Sequence, residues 1–236
     1  MTTVEASDTM AVDIAALKEL NPDIVGWIYI PGTEISYPIV QGGDNDQYLK
    51  TAYDGSYSNS GSIFLNARNR SDFIDQNTLI YGHHMRDGSM FGHLMDFEKA
   101  DFLDTHRRFF IYTQDGTLEY QIFSAFVTYS ASFVYTDAFA FSWDYFDFLE
   151  DSRNASILDL HVDVTTDDRV VTLSTCTSRG NRAERFVVQG KLITPLDGTD
   201  KTGNAAQGET PLTNENAATD TKDADLSFEA VDGTEQ

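Results

Sequence analysis

From Ile24 onward the apolar positions fall in short runs rich in β-branched and aromatic residues, bounded by Gly, Pro, Asn and Asp. That is the pattern of strands rather than of helices. It predicts strands over 24–30 and 35–40, parted by Pro31-Gly32, and short apolar strands over 62–65 and 78–81. Pro38 in the second strand points to an edge, because proline cannot donate to a ladder. Residues 42–60 are polar with scattered Tyr and read as a long loop or a short helix. Residues 107–112 and 117–129 flank Gln114-Asp115-Gly116, a hairpin signal. Strands over 169–175 and 186–193 complete a set of about eight. Helical spacing shows in two places. Met10, Ile14, Leu17 and Leu20 follow a candidate cap at Ser7 or Asp8, and Pro22 stops the helix at Asn21. Trp143, Tyr145, Phe146, Phe148 and Leu149 follow Ser142 as a candidate cap, with Asp144 near the start. Many strands and few helices predict an antiparallel barrel or sandwich.

The pattern stops after Pro195. Residues 196–236 hold ten acidic residues against two lysines, and Phe228 is their only aromatic. This composition predicts a disordered acidic tail. Before it, 16 Phe and 11 Tyr in a chain of 236 residues are enough to close a core. The net charge of −22 argues against nucleic acid as a partner and against a polybasic membrane dock. No run approaches the length of a membrane span, and the N-terminus lacks the basic-then-apolar order of a signal peptide. Either the protein is soluble or a membrane anchor lies outside this chain. The one cysteine, Cys176, excludes an intrachain disulfide and a zinc knuckle.

Cys176 is also the first candidate for chemistry. A cysteine taken at random is most often a small buried hydrophobe. This one ends an apolar strand and enters a polar loop, where Arg179, Arg182 and Arg185 follow within nine residues. A thiol becomes a nucleophile only as thiolate, and nearby positive charge favours that form. The bland account of the arginines is a solvated loop balancing the surrounding acids. His83 and His84 likewise follow a strand, across Gly82. A histidine there can act as general acid or base, although such a pair is more often structural. His93 lies ten residues on, and no third ligand is suitably spaced, so no metal or other cofactor is implied. A thiolate to attack a peptide carbonyl, an arginine for the oxyanion and a histidine to protonate the departing amine together describe acyl transfer.

Three segments bear a specific resemblance. The stretch Asn77–Gly92 (NTLIYGHHMRDGSMFG), Thr172–Cys176 (TLSTC) and the strand opening Arg185-Phe186-Val187-Val188 together resemble the sortases, and class B in particular. The tracts Asn21–Thr33 (NPDIVGWIYIPGT) and Gly61–Leu65 (GSIFL) support it. The likeness runs from about residue 13 to residue 194. It implies a mainly β fold, a closed eight-stranded sortase-type β-barrel with an N-terminal helix and a long helix over about 142–158 between strands six and seven. It implies a cysteine transpeptidase that cleaves a sorting signal after its Thr, with Cys176, His83 and Arg185 as the catalytic trio. His83 is preferred to His84 because it directly follows Gly82, and Arg185 to Arg182 because it opens the apolar strand. Ser174, Asn45, Leu49 and Tyr81 are the implied substrate-side residues. Thr175 faces the other way and serves packing. The implied partners are surface proteins bearing an NPxTN-like or LPxTG-like signal, and an amine of a peptidoglycan cross-bridge or a pilin lysine. The implied place is the outer face of the membrane of a Gram-positive bacterium. Residues 1–12 then read as a flexible N-terminal remainder, 13–195 as the catalytic domain and 196–236 as an added tail. Two other readings stay open beside wall anchoring: pilin polymerisation, and a protease that releases its product to water. A non-catalytic wall-binding module would lack one of the trio, and all three are present.

Overall fold

The structure is a computed structural model and describes residues 12–177 and 181–194. Eight strands close into one barrel: β1 (Ile24–Tyr29), β2 (Ser36–Val40), β3 (Ile63–Leu65), β4 (Asn77–Tyr81), β5 (Arg108–Thr113), β6 (Gly116–Tyr129), β7 (Val170–Cys176) and β8 (Glu184–Leu192). Their order around the barrel is β1-β2-β3-β4-β7-β8-β6-β5. The expected barrel is therefore present, but it is not wholly antiparallel. The β2–β3 and β4–β7 pairs run parallel. Pro38 lies within this closed ring, not on an open edge. It pairs with Trp27 on one side only, because β2 meets β3 only at Ile39 and Val40.

Strand alternation sorts side chains into two sets. Ile80 of β4, Leu173 of β7, Val188 of β8 and Ile111 of β5 point inward and join the main core. Phe64, Leu79 and Tyr81 point outward and form a second, smaller cluster on the barrel surface, against which Leu17, Leu49, Tyr135 and Cys176 pack. Burying an aromatic or aliphatic side chain fully contributes about 1.5–3 kcal/mol. This outer cluster therefore fixes the loops that cover it.

Three helices decorate the barrel. Helix α1 (Ile14–Leu20) ends at Asn21 as the Pro22 rule requires, but its cap is Asp13, whose carboxylate accepts from the Ala16 N–H. Ser7, Asp8 and Met10 lie outside the described residues. Helix α2 (Ala100–Thr105) follows a 3₁₀ turn over Gly92–Glu98, in a stretch to which no element was assigned from sequence. Helix α3 (Ser142–Ala155) sits between β6 and β7. It stops at Ser156, whose backbone turns extended, short of the expected 158. Ser142 is its first turn and not its cap: Phe141 holds the cap position and no side chain closes that end. The 42–60 segment is a loop with one 3₁₀ turn, Gln47–Leu49. Among the described residues no helix is long and apolar enough to cross a membrane.

Candidate active site

Cys176 is the last residue of β7, and the strand register decides what stands beside it. On one flank the antiparallel β7–β8 ladder pairs Cys176 with Arg185. On the other flank the parallel β4–β7 ladder pairs Tyr81 with Ser174. Two hydrogen bonds carry that register one step further: the Gly82 N–H donates to the Ser174 carbonyl (3.2 Å) and the Thr175 hydroxyl to the Gly82 carbonyl (2.8 Å). His83 follows Gly82 just past the end of β4, and Cys176 follows Thr175 as the last residue of β7. Paired residues of neighbouring strands share a face. The register thus sets Cys176 beside Arg185 and brings His83 to the same end of the barrel. The sequence places them 93 and nine positions apart from the cysteine in the chain.

The thiol is partly exposed and packs against the outer cluster. Burial pushes its pKa up, and the Arg185 guanidinium pulls against that shift. Arg185 is only 3% exposed. Its Nη1 donates to the carbonyls of Arg182 (2.6 Å) and Glu184 (3.1 Å), which holds the guanidinium against the strand end. His83 is half-buried. Burial pushes its pKa down; the 2.8 Å hydrogen bond from its Nε2 to the Leu49 carbonyl works the other way, and the Lys50 charge lowers it further. At neutral pH burial favours the uncharged form of both groups. The thiolate–imidazolium pair is then a minor species whose chemistry is that of a nucleophile beside a general acid.

Two loops border the candidate cleft with side chains that pack on the same outer cluster as Cys176: Leu49, in the 3₁₀ turn after β2, and Tyr135, in a short turn after β6 (Phe133–Tyr135). Tyr135 was not singled out from sequence. Its hydroxyl shares a 2.8 Å hydrogen bond with Ser174 Oγ, and its ring stacks on Tyr81 at 6.2 Å. Burial pushes its phenol up to about 12, and the nearby Arg185 opposes this. Phe133, Tyr135, Phe139 and Phe141 alternate along this stretch, but the alternation does not mark which of them folds back onto the strands.

The other substrate-side candidates fall around this cleft. Ser174 and Tyr81 are paired across β7 and β4, two residues before Cys176 and His83 respectively. Thr175 is buried with its hydroxyl on Gly82, the packing part expected of it. Asn45 lies in the loop after β2. Its Nδ2 donates to Asn66 Oδ1 (2.9 Å) and its Oδ1 accepts from the Ala67 N–H (2.8 Å).

The remaining histidines stand elsewhere. The backbone of His84 bridges to Met90. His93 holds Asp96, His106 stacks on Phe102, and His161 is paired with Asp159. Arg182 is exposed and presents its carbonyl to Arg185, while Arg179 lies outside the described residues. Among the described residues no group of three or more His, Cys, Asp or Glu side chains is arranged to hold a metal.

The Sortase domain family model matches residues 28–193. The chain is 40% identical over 183 residues to sortase B of Listeria monocytogenes, covering 77% of this chain and 74% of that protein. It is 37% identical over 180 residues to sortase B of Staphylococcus aureus, covering 75% and 73%. Its fold is similar to a complex of Staphylococcus aureus sortase B with substrate, at a TM-score of 0.72 and 35% identity, covering 76% of this chain and 84% of that one.

Proposed function

Because the chain belongs to the sortase family and is a cysteine transpeptidase whose relatives are sortase B proteins, we propose that it cleaves a sorting signal after Thr and passes the acyl group to an amine. The proposed catalytic unit is 13–195. The observation that supports the reading is the register at one end of the barrel: Cys176 pairs with Arg185 across β7 and β8, and His83 follows Gly82, whose bonds to Ser174 and Thr175 continue the β4–β7 register.

In the proposed reaction the Cys176 thiolate attacks the carbonyl carbon of the signal's Thr. The negative charge that develops on the carbonyl oxygen is met by the Arg185 guanidinium. The C–N bond breaks, and the departing amine takes a proton from the His83 imidazolium, leaving a thioester. The acceptor amine then attacks the thioester, His83 takes up its proton, and the thiolate leaves. Ser174, Tyr81, Leu49 and Asn45 border the cleft that the extended signal occupies. Similarity to sortase B proteins favours an NPxTN-like signal over an LPxTG-like one, and a cell-wall amine over a pilin lysine. Both relatives come from Gram-positive bacteria, which supports the proposed location of the enzyme and its substrates at the outer face of the cell membrane.

Products made with and without an added amine test this. Transfer predicts amine adducts of the signal fragment as the main product when amine is present. Free acid alone, at every amine concentration, is the outcome of a protease and contradicts it.

A further inference from the structure

Both walls of the proposed cleft are loops; backbone bonds such as the Ser62 N–H to the Tyr48 carbonyl (3.0 Å) hold the Leu49 loop in part, and side-chain hydrogen bonds connect it with the Tyr135 loop. One side chain joins the two. Asp137, two residues past Tyr135, accepts at Oδ2 from Asn66 Nδ2 (2.9 Å) and from Arg68 Nε (2.7 Å). Asn66 is buried at the end of β3, and its own Oδ1 accepts from Asn45 Nδ2 (2.9 Å). Asn45 in turn holds the segment that leads into Leu49. The connection thus runs from the Tyr135 wall through Asp137, Asn66 and Asn45 to the Leu49 wall. A second pin holds the Tyr135 side to the floor: Asn77 Nδ2 donates to the carbonyls of Val134 (3.0 Å) and Thr136 (2.8 Å).

The tie lies away from the chemistry. The Asn66 N–H donates to the Leu79 carbonyl, four residues before His83 on the β4 side of the cleft. At about 3.3 Å per residue this is about 13 Å from the level of the thiol, the reach of an extended four-residue peptide. Cys176 and Arg185 are fixed by the β7–β8 register, whereas His83, just past β4, also donates to the Leu49 carbonyl (2.8 Å).

We propose that Asp137 is a positioning residue that sets the width of the signal-binding cleft by tying its two loop walls together through Asn66 and Asn45. The inference rests on the function proposed above. A peptide entering an untied cleft must order the walls as it binds, and that cost falls on binding. The nucleophile and the oxyanion group, Cys176 and Arg185, sit in the β7–β8 ladder and keep their places, so binding is affected more than the chemical step. Asp137 offers a charged acceptor, the stronger kind, so its removal is felt more than that of a neutral partner.

The test is steady-state kinetics with a signal peptide on the full chain, together with the rate of Cys176 alkylation by iodoacetamide. Asp137→Ala is expected to raise KM about tenfold with kcat within about twofold of wild type. Alkylation of Cys176 stays at the wild-type rate. Asp137→Asn, which keeps an oxygen for Asn66, raises KM by less than Asp137→Ala. Because Asn45 belongs to the same tie, Asn45→Ala adds little to KM in the Asp137→Ala background. An active wild type with KM unmoved in Asp137→Ala overturns this inference alone. So does a fall in kcat with slowed alkylation in both Asp137 variants, or independent multiplication of the Asn45 and Asp137 effects. A wild type inert toward every signal peptide overturns the proposed function and this inference with it.

Discussion

Burial acts on the Cys176 thiol and the His83 imidazole in opposite directions: it lifts the first above its ordinary 9.0 and drops the second below its ordinary 6.5. On the proposed mechanism the active form carries one proton between the two groups, on the imidazole. Such a form is most abundant between the two titrations. A plot of kcat/KM against pH is therefore expected to be a broad bell. Its acid limb falls below 6.5 and its alkaline limb above 9.0; limbs drawn in toward neutrality contradict the shifts. Arg185 meets the oxyanion with a planar fork that an ammonium does not reproduce. Arg185→Lys is expected to lower kcat/KM by about a hundredfold or more. The matching change at exposed Arg182 is expected to cost far less, and a reversal of that order contradicts the Cys176–Arg185 register. His83→Ala is expected to lower turnover by about a hundredfold to ten-thousandfold, and His84→Ala by much less, since only His83 follows Gly82 in line with Cys176. These three residues were legible in the sequence because each ends or opens a strand with a recognisable tract around it. Tyr135 and Asp137 were not, because the aromatic alternation of their loop carries no mark of which side chains fold back onto the floor.

The ends of β4 and β7 do more than carry side chains. Thr175 points away from the cleft, yet its hydroxyl bond to the Gly82 carbonyl, together with the Gly82 N–H bond to the Ser174 carbonyl, carries the β4–β7 register past Tyr81 toward His83. Thr175→Val keeps the shape and leaves that carbonyl without its donor. It is expected to cost about 1–3 kcal/mol of stability, read by chemical denaturation. Turnover is expected to fall by more than stability alone explains, with a lower kcat at saturating signal. A variant with full kcat would show that register is secured elsewhere. Strand positions were largely legible, since short β-branched runs between turn residues permit few other readings. Pairing was less so. The parallel β2–β3 and β4–β7 ladders join strands that local pattern cannot match, and β4–β7 spans most of the barrel's sequence. Caps were misplaced for a related reason. Ser142 and Ser7 or Asp8 satisfy the cap chemistry in sequence, but position is decided by where the helix docks, which puts Asp13 and Phe141 at those ends. The 92–105 segment is held by buried Leu94, Phe97 and Leu103 against the main core rather than by local propensity.

The barrel, its outer cluster and the cleft are complete by Leu192, and the family match ends at 193. The acidic 196–236 segment, expected from composition to be a disordered tail, lies outside the described residues, as do residues 1–11. Deleting 197–236 is expected to leave the melting temperature and kcat/KM within experimental scatter of the full chain; a large loss of either would make the segment part of the working fold. The account as a whole requires that three strand ends deliver sulfur, imidazole and guanidinium to one carbonyl. Intact-mass analysis of the chain incubated with an NPxTN-like peptide tests this most directly. The predicted result is a thioester on Cys176 whose added mass is that of the peptide fragment ending at its Thr less one water, which accumulates without amine and disappears as the amine product grows. Product forming with no adduct on Cys176, or forming equally in Cys176→Ala, would contradict it.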